Sequence, residues 1–269
     1  MIHLNWKKIA LIGADLGLAV YLAFAVTSWN KPTEKNYMCS AVNIDIEDEN
    51  ENGFLNTKEI KELLNKKHIY PFSQPVSSIN IRNIEEELMR MPFVKTANCY
   101  ITQDGQANIT LTQRTPIVRV KAVNGADYYI DDAGGIMPNS QYTSDMIIVT
   151  GNVSKQYACD YLSHLAMTIM DNDFWRNQIE QINILPDKTI EFIPRVGDHI
   201  INIGALPKES DSKKRPETIR DYVQDKFHRM EIFYQYGLAN AGWNRYSYIS
   251  LEFANQVVCT KKEPEIINH

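Results

Sequence analysis

Hydrophobic and polar positions divide the chain into one continuous apolar stretch and a long body whose pattern alternates between helical and strand periods. Ile9 to Ser28 is the apolar stretch, preceded by Lys7 and Lys8 and flanked by Trp6 and Trp29. It is about 20 residues long, the length a helix needs to cross the hydrocarbon core of a bilayer. Indoles favour the headgroup layer and the basic pair precedes the run. The pattern therefore predicts a cytoplasmic lead over 1–8, a transmembrane helix over 9–28 and an exported body, with Trp6, Asp15 and Trp29 as membrane-anchor residues. Asp15 would cost about 2.5–3.5 kcal/mol inside the span unless protonated, near the interface or paired with another helix. Gly13 and Gly17 form G-x-x-x-G, a spacing that lets helix backbones approach, although small residues are common in spans generally. Ala23-Phe24-Ala25 also reads as a signal-peptide cleavage site, but the run continues past it to an aromatic anchor, which favours retention.

After a polar linker over 29–37, Ala41 to Ile46 alternates as a half-buried strand does. Asn56, Glu59 and the pair Leu55/Ile60 supply a cap, a capping-box acid and a staple for a helix starting at Thr57, with Ile60, Leu63 and Leu64 on its apolar face. A second helix begins near Asn80 or Asn83, carries Ile84, Leu88 and Met91, and stops at Pro92. Strands Val94–Thr102 and Ala107–Gln113 follow, joined through Asp104-Gly105. The unit is strand, helix, helix, strand, strand, which buries one sheet face under two helices.

From Arg114 short strands dominate: Val118–Ala122, Tyr128–Asp131, Met146–Thr150, Ile179–Leu185, Thr189–Ile193 and His199–Ile203, with a turn at Asp132-Ala133-Gly134-Gly135. Helices are predicted over Ser154–Met170 and from near Pro216 to Gly237, the latter through Ile219, Val223, Phe227, Met230 and Tyr234. Tyr246 to Val258 reads as one last strand, and 259–269 as a polar tail. A strand ending a sheet exposes a row of unpaired N–H and C=O groups to which another strand can add.

Composition narrows the chemistry. Net charge is −5 with a pI near 5.7, and Asp45, Glu47, Asp48, Glu49 and Glu51 form an acidic run best read as a solvated loop, so nucleic acid is not an expected partner. Cys39, Cys99, Cys159 and Cys259 form no C-x-x-C pair and leave disulfides and buried free thiols both open. The histidines form no H-x-x-x-H or H-x-E pair, no Ser stands in G-x-S-x-G or S-x-x-K, and no glycine-rich phosphate cradle is present. Asp131 and Asp132 suit a turn better than a carboxylate pair, because adjacent strand residues point to opposite faces. Lys213-Lys214-Arg215 reads as a solvated lead into the following helix. The reading is of a protein without catalytic residues, metal, cofactor or small-molecule substrate.

The chain resembles the bitopic bacterial division family FtsQ, called DivIB in Gram-positive bacteria. The likeness rests on the single span, on Ile84-Glu85-Glu86-Glu87-Leu88 to Met91-Pro92-Phe93-Val94-Lys95-Thr96-Ala97, on Arg114-Thr115-Pro116-Ile117-Val118, on Tyr129-Ile130-Asp131-Asp132-Ala133-Gly134 and on Tyr248 to Val258. It departs at Val118, where the family commonly has alanine, and at the Gly- and Asn-rich loop Leu238 to Arg245. The resemblance implies an α+β fold, with a POTRA domain (β-α-α-β-β) over 38–114 and a mixed β-sheet domain with flanking helices, the FtsQ-type beta domain, over 115–258. It further implies a single-pass protein of the bacterial inner membrane, its C-terminal domain periplasmic and at the division septum, with the POTRA module helping to recruit it there. The implied partners are FtsB and FtsL type bitopic proteins and other divisome proteins, bound by strand addition. The implied contact residues are Tyr246, Tyr248, Leu251, Phe253, Asn255, Gln256 and Val258, with Phe253 as aromatic anchor. A POTRA-bearing envelope transport or assembly factor is the alternative, and an enzyme acting on peptidoglycan is a more distant one.

Overall fold

The computed structural model describes residues 6–29, 37–47, 53–140 and 146–263. The apolar run forms helix α1, Trp6–Trp29, with side chains described for 12–25. Ile12, Leu16, Leu18, Val20, Tyr21, Leu22 and Phe24 are exposed and lie on all sides of it, and Asp15 is exposed among them. No helix among the described residues is long and apolar enough to cross a membrane. This differs from the span predicted over 9–28, because the described stretch of side chains is shorter than the run. The side chains of Trp6 and Trp29, residues 30–36 of the linker, Asp48, Glu49 and Glu51 of the acidic run, and the last six tail positions lie outside the described residues.

The first module is β1 (Ala41–Ile46), α2 (Thr57–Lys66), α3 (Ile81–Met89), β2 (Val94–Ile101) and β3 (Gln106–Gln113), with sheet order β1-β3-β2. Asn56 caps α2 by accepting the Lys58 N–H at 2.8 Å, and Asn80 caps α3 by accepting that of Asn83 at 3.1 Å. These caps are worth about 1 kcal/mol each. Ile60 with Leu64, and Ile84 with Leu88, sit at i and i+4 and are fully buried against Ala97, Cys99, Ile109 and Leu111. Each such side chain contributes about 1.5–3 kcal/mol, so the packed face rather than propensity holds these short helices.

The second module is one nine-stranded sheet, order β12-β11-β10-β9-β8-β7-β4-β5-β6. Its strands are β4 (Pro116–Ala122), β5 (Asp127–Asp131), β6 (Ile136–Pro138), β7 (Ile147–Gly151), β8 (Ile179–Ile184), β9 (Thr189–Pro194), β10 (Ile200–Ala205), β11 (Tyr246–Ser250) and β12 (Val258–Lys261). The helix predicted over Ser154–Met170 is α4 (Lys155–Tyr157), a π-helical turn (Ala158–Leu162) and α5 (Ser163–Met170), followed by α6 (Asp173–Gln178). The long helix is α7 (Arg215–Ile232), continued by a second π-helical turn (Phe233–Leu238) and α8 (Ala239–Ala241). Gly237 therefore does not end it; Gly242, at φ 95°, does. Trp175 of α6 is fully buried and stacks on Phe227 of α7 with ring centroids 4.5 Å apart.

Two strands differ from the sequence reading in a way that matters for the site. Tyr246 to Val258 is not one strand: it breaks over 251–257, and β12 folds back antiparallel on β11. Residues 259–261 are accordingly strand rather than the start of a tail. Asn255 takes the left-handed conformation at φ 57°, which asparagine tolerates better than most residues and which turns the chain.

The modules meet at the β5/β6 end of the large sheet. Phe54 stacks on Phe93 at 5.2 Å, meets Tyr129 edge-on at 5.7 Å and packs with Met137. Its N–H and that of Leu55 both donate to the buried Gln113 Oε1 at 2.8 Å. Arg114 donates from Nε to Asp131 Oδ2 at 2.7 Å and from Nη1 to the Pro92 carbonyl at 2.8 Å, while Lys95 pairs with Asp132 at 2.7 Å. Asp131 also accepts the N–H groups of Ala133 and Gly135, so the turn role read for this dipeptide is one with a joining role added. Gly134 supplies the positive φ, 79°, and a Cβ at Gly135 would collide with the Arg114 guanidinium.

Candidate functional site

A row of main-chain groups is open only at the end of a sheet; among the described residues the three-stranded sheet ends at β1 and β2, and the nine-stranded sheet, which carries the residues singled out from sequence, ends at β6 and β12. β6 lies against the first module, whereas β12 has a neighbour, β11, on one side alone. The pairings Tyr248↔Thr260 and Ser250↔Val258, with the Leu251 N–H turned the other way to the Asn202 carbonyl at 2.7 Å, fix the alternation. The Lys262 N–H bonds inward to Arg245, so the N–H and C=O of Cys259 and Lys261 point away from the sheet.

The seven residues singled out from sequence divide by this geometry. Tyr246 is half-buried and packs its ring 6.1 Å from Phe233, on the helix-covered face. A register shift between Tyr246 and Tyr248 puts Tyr248 on the opposite face, where its hydroxyl donates to Glu191 Oε1 at 3.2 Å. Burial, reinforced by Glu191, pushes the Tyr248 phenol up to about 12. Leu251 is 1% exposed and belongs to the core. Phe253, at 57%, and Val258, at 48%, are open, as are Asn255 and Gln256. Phe253, Asn255 and Gln256 thus stand exposed on the loop that leads into β12 and Val258 opens that strand, whereas Tyr246, Tyr248 and Leu251 are engaged within the sheet and core.

Two cations that the sequence reading passed over hold this loop. Lys226 of α7 is 3% exposed, and its Nζ donates to the carbonyls of Leu251 at 2.7 Å and Glu252 at 3.0 Å. Arg229 donates from Nη1 to the carbonyls of Phe253 at 2.7 Å and Gln256 at 3.3 Å, and from Nη2 to that of Leu251 at 3.3 Å. Asp225 holds the Arg229 guanidinium at 2.9 Å. Positions 226 and 229 share a helix face, so one stripe of α7 satisfies four carbonyls of a segment that has no ladder of its own. Burial, with Arg229 adding to it, holds the Lys226 ammonium below the usual lysine range. The Tyr222 ring, 4.6 Å from Nζ, offsets part of that cost. The signal in the sequence was a lysine beside Phe227 in the apolar stripe.

The remaining candidates are structural. All four cysteines are free, and burial pushes the Cys99 thiol up to about 11, far from a reactive thiolate. No group of three or more His, Cys, Asp or Glu side chains among the described residues could hold a metal ion. Arg215 is not part of a solvated lead: it lies 4.9 Å from the Tyr161 ring and donates to the Glu209 carbonyl at 3.0 Å.

No curated protein matches the chain. The POTRA-like domain family matches residues 37–112, the three-stranded module. The family described as FtsQ/DivIB, C-terminal related, matches residues 115–260, which takes in β4 to β11 of the large sheet and most of β12. That match spans more than half of the chain, and the order of the two domains is the one the sequence motifs imply; the chain belongs to the FtsQ/DivIB family.

Proposed function

We propose that the protein is a non-catalytic scaffold of the bacterial division machinery that binds FtsB and FtsL type partners by strand addition and links them to septal peptidoglycan synthesis. The observation that carries this is the open side of β12, flanked by an exposed aromatic on a loop that Lys226 and Arg229 hold in place. Strand addition needs unpaired main-chain groups for affinity and side-chain contacts beside them for specificity, and both are present there. A preordered loop lowers the entropic cost of binding. Anchoring by α1 in the inner membrane, with the body in the periplasm, is part of the proposal. Its support is a helix apolar on all sides whose described side chains stand exposed.

The test is Phe253→Lys in the full chain, with affinity for an FtsB-type partner as the readout. A charge placed in the buried strand interface should cost about 2–4 kcal/mol of binding while the thermal midpoint stays put. Undiminished binding by the folded variant would remove β12 as the site. In cells, a fluorescent fusion should gather at midcell and depletion should give filaments; uniform distribution with normal division would defeat the division role.

A further inference from the structure

The π-helical turn Phe233–Leu238 sits between α7 and α8, and such turns re-aim side chains that a regular helix would place elsewhere. Between it and α6 lies a hollow of about 620 Å³, lined by Asn172, Phe174, Glu231, Tyr234, Gln235 and Trp243. Its size is that of a small-ligand or side-chain pocket. Tyr234 forms the inner wall, 4% exposed, its hydroxyl 2.9 Å from His199 Nε2. Trp243 flanks it at 5.0 Å with planes at 53°, and Phe174 at 6.3 Å with planes at 70°. These two outer rings are 40% and 48% exposed and stand open to solvent.

Glu231 is the charged group of the lining, and among the described residues no Lys, Arg or His lines the hollow. Its Oε1 accepts the Trp175 indole N–H at 2.8 Å, which fixes the carboxylate rather than neutralising it. Three aromatic walls and one carboxylate select the charge of the occupant. An anion would be repelled. A neutral apolar group would desolvate Glu231 without compensation. A cation gains from the ring faces and the carboxylate together. Ile232 and Tyr236, which follow the lining residues Glu231 and Gln235 in the chain, are 46% and 69% exposed and leave apolar surface on the same stretch for a bound chain.

We infer that this hollow receives a lysine or arginine side chain presented by a partner polypeptide. The pocket is built from α6, Glu231 at the end of α7, the π turn and the segment through Trp243; α7 also carries Lys226 and Arg229, but no lining residue belongs to β12 or to the loop those two cations hold. It therefore stands apart from the strand-addition site, and either can fail without the other.

The experiment uses the full chain with ¹⁵N-labelled tryptophan, titrated with Nα-acetyl-lysine methylamide and Nα-acetyl-arginine methylamide. Nα-acetyl-norleucine methylamide serves as the uncharged near-isostere and N-acetylglucosamine as a neutral sugar. The indole signals of Trp243 and Trp175 should shift and saturate with the two cationic probes and stay still with the neutral ones. Glu231→Gln keeps an oxygen to accept the Trp175 N–H, so it should preserve the fold and weaken cation binding about tenfold. Trp243→Leu, at an exposed ring, should weaken it with Glu231 intact. Equal shifts with norleucine or the sugar, no saturable shift with either cation, or unchanged affinity in both variants would overturn the inference.

Discussion

Lys226 and His199 are the two buried side chains whose protonation the fold opposes most directly. At Lys226 the ammonium faces main-chain carbonyls and the Tyr222 ring, with Asp225 and Glu252 near enough to offset only part of the burial cost. Lys226→Met keeps the stem and removes the donor, leaving the Leu251 and Glu252 carbonyls short of a partner. It should cost about 1–3 kcal/mol and speed amide exchange over 251–257 more than elsewhere; uniform exchange would show that the loop holds itself. His199 is 2% exposed, and burial holds its pKa below the ordinary 6.5 against the opposing pull of Asp198. Tyr234, His199's hydrogen-bond partner, stays neutral, and Lys262 adds to the lowering. A histidine with a lowered folded pKa binds fewer protons folded than unfolded, so stability falls as pH drops below 6.5 and levels off once the folded pKa is passed. Burial lowers His164 as well, with Arg215 contributing, so His199→Phe should flatten the decline in thermal midpoint between pH 7 and 5.5 without abolishing it. An unchanged slope would show that His199 titrates alike in the folded and unfolded chain, so that burial does not oppose its protonation. Neither residue was legible in the sequence, because an ionisable side chain inside an apolar stripe looks the same whether it snorkels out or is capped by carbonyls from a distant segment.

At the scale of elements, periodicity located the strands long enough to show a period and missed β6, whose three residues are too few to do so. Asn56 and Asn80 were readable as caps because capping is local chemistry. The last strand was misread for the complementary reason. Leu251-Glu252-Phe253-Ala254-Asn255-Gln256 contains no Gly or Pro to announce a turn, and what breaks it is the left-handed Asn255 together with cations from α7. Likewise Gly237 looks like a helix stop, but the π turn carries the helix past it. The consequence for the site is specific: the free main-chain groups belong to Cys259 and Lys261 rather than to β11. Lys261→Pro removes an N–H that the sheet does not use, and proline is tolerated at an edge with its nitrogen outward. It should leave the thermal midpoint within a few degrees and weaken an FtsB-type partner by about tenfold, the worth of one to two main-chain hydrogen bonds. Equal affinity, measured by titration calorimetry, would mean that the partner is held by side chains alone.

For the whole molecule, the strand order places the junction with the first module and the open edge of β12 at opposite ends of one sheet. Tyr129 of β5 and Met137 of β6 receive Phe54 from the first module, and β12 closes the far end. At about 4.8 Å per strand, roughly 40 Å of continuous hydrogen-bonded sheet separates them. The first module is therefore tied to the second by a small aromatic cluster, by Gln113 and by the Arg114–Asp131 pair, whose Asp131 side chain is 5% exposed. Removing Arg114 would leave that carboxylate buried with its main cation gone, at a cost of about 3 kcal/mol. Phe54→Ala would open a cavity between the modules at a cost of about 3–5 kcal/mol. Both changes act on the junction and leave the β12 ladder untouched. Arg114→Ala and Phe54→Ala should thus broaden the distribution of distances between spin labels placed one on each module, while the affinity for a strand-adding partner changes less than about twofold, because that edge lies beyond the reach of local repacking. A parallel loss of affinity would show instead that the junction and the edge are coupled through the sheet, and that the first module sets the geometry of partner binding rather than only its location.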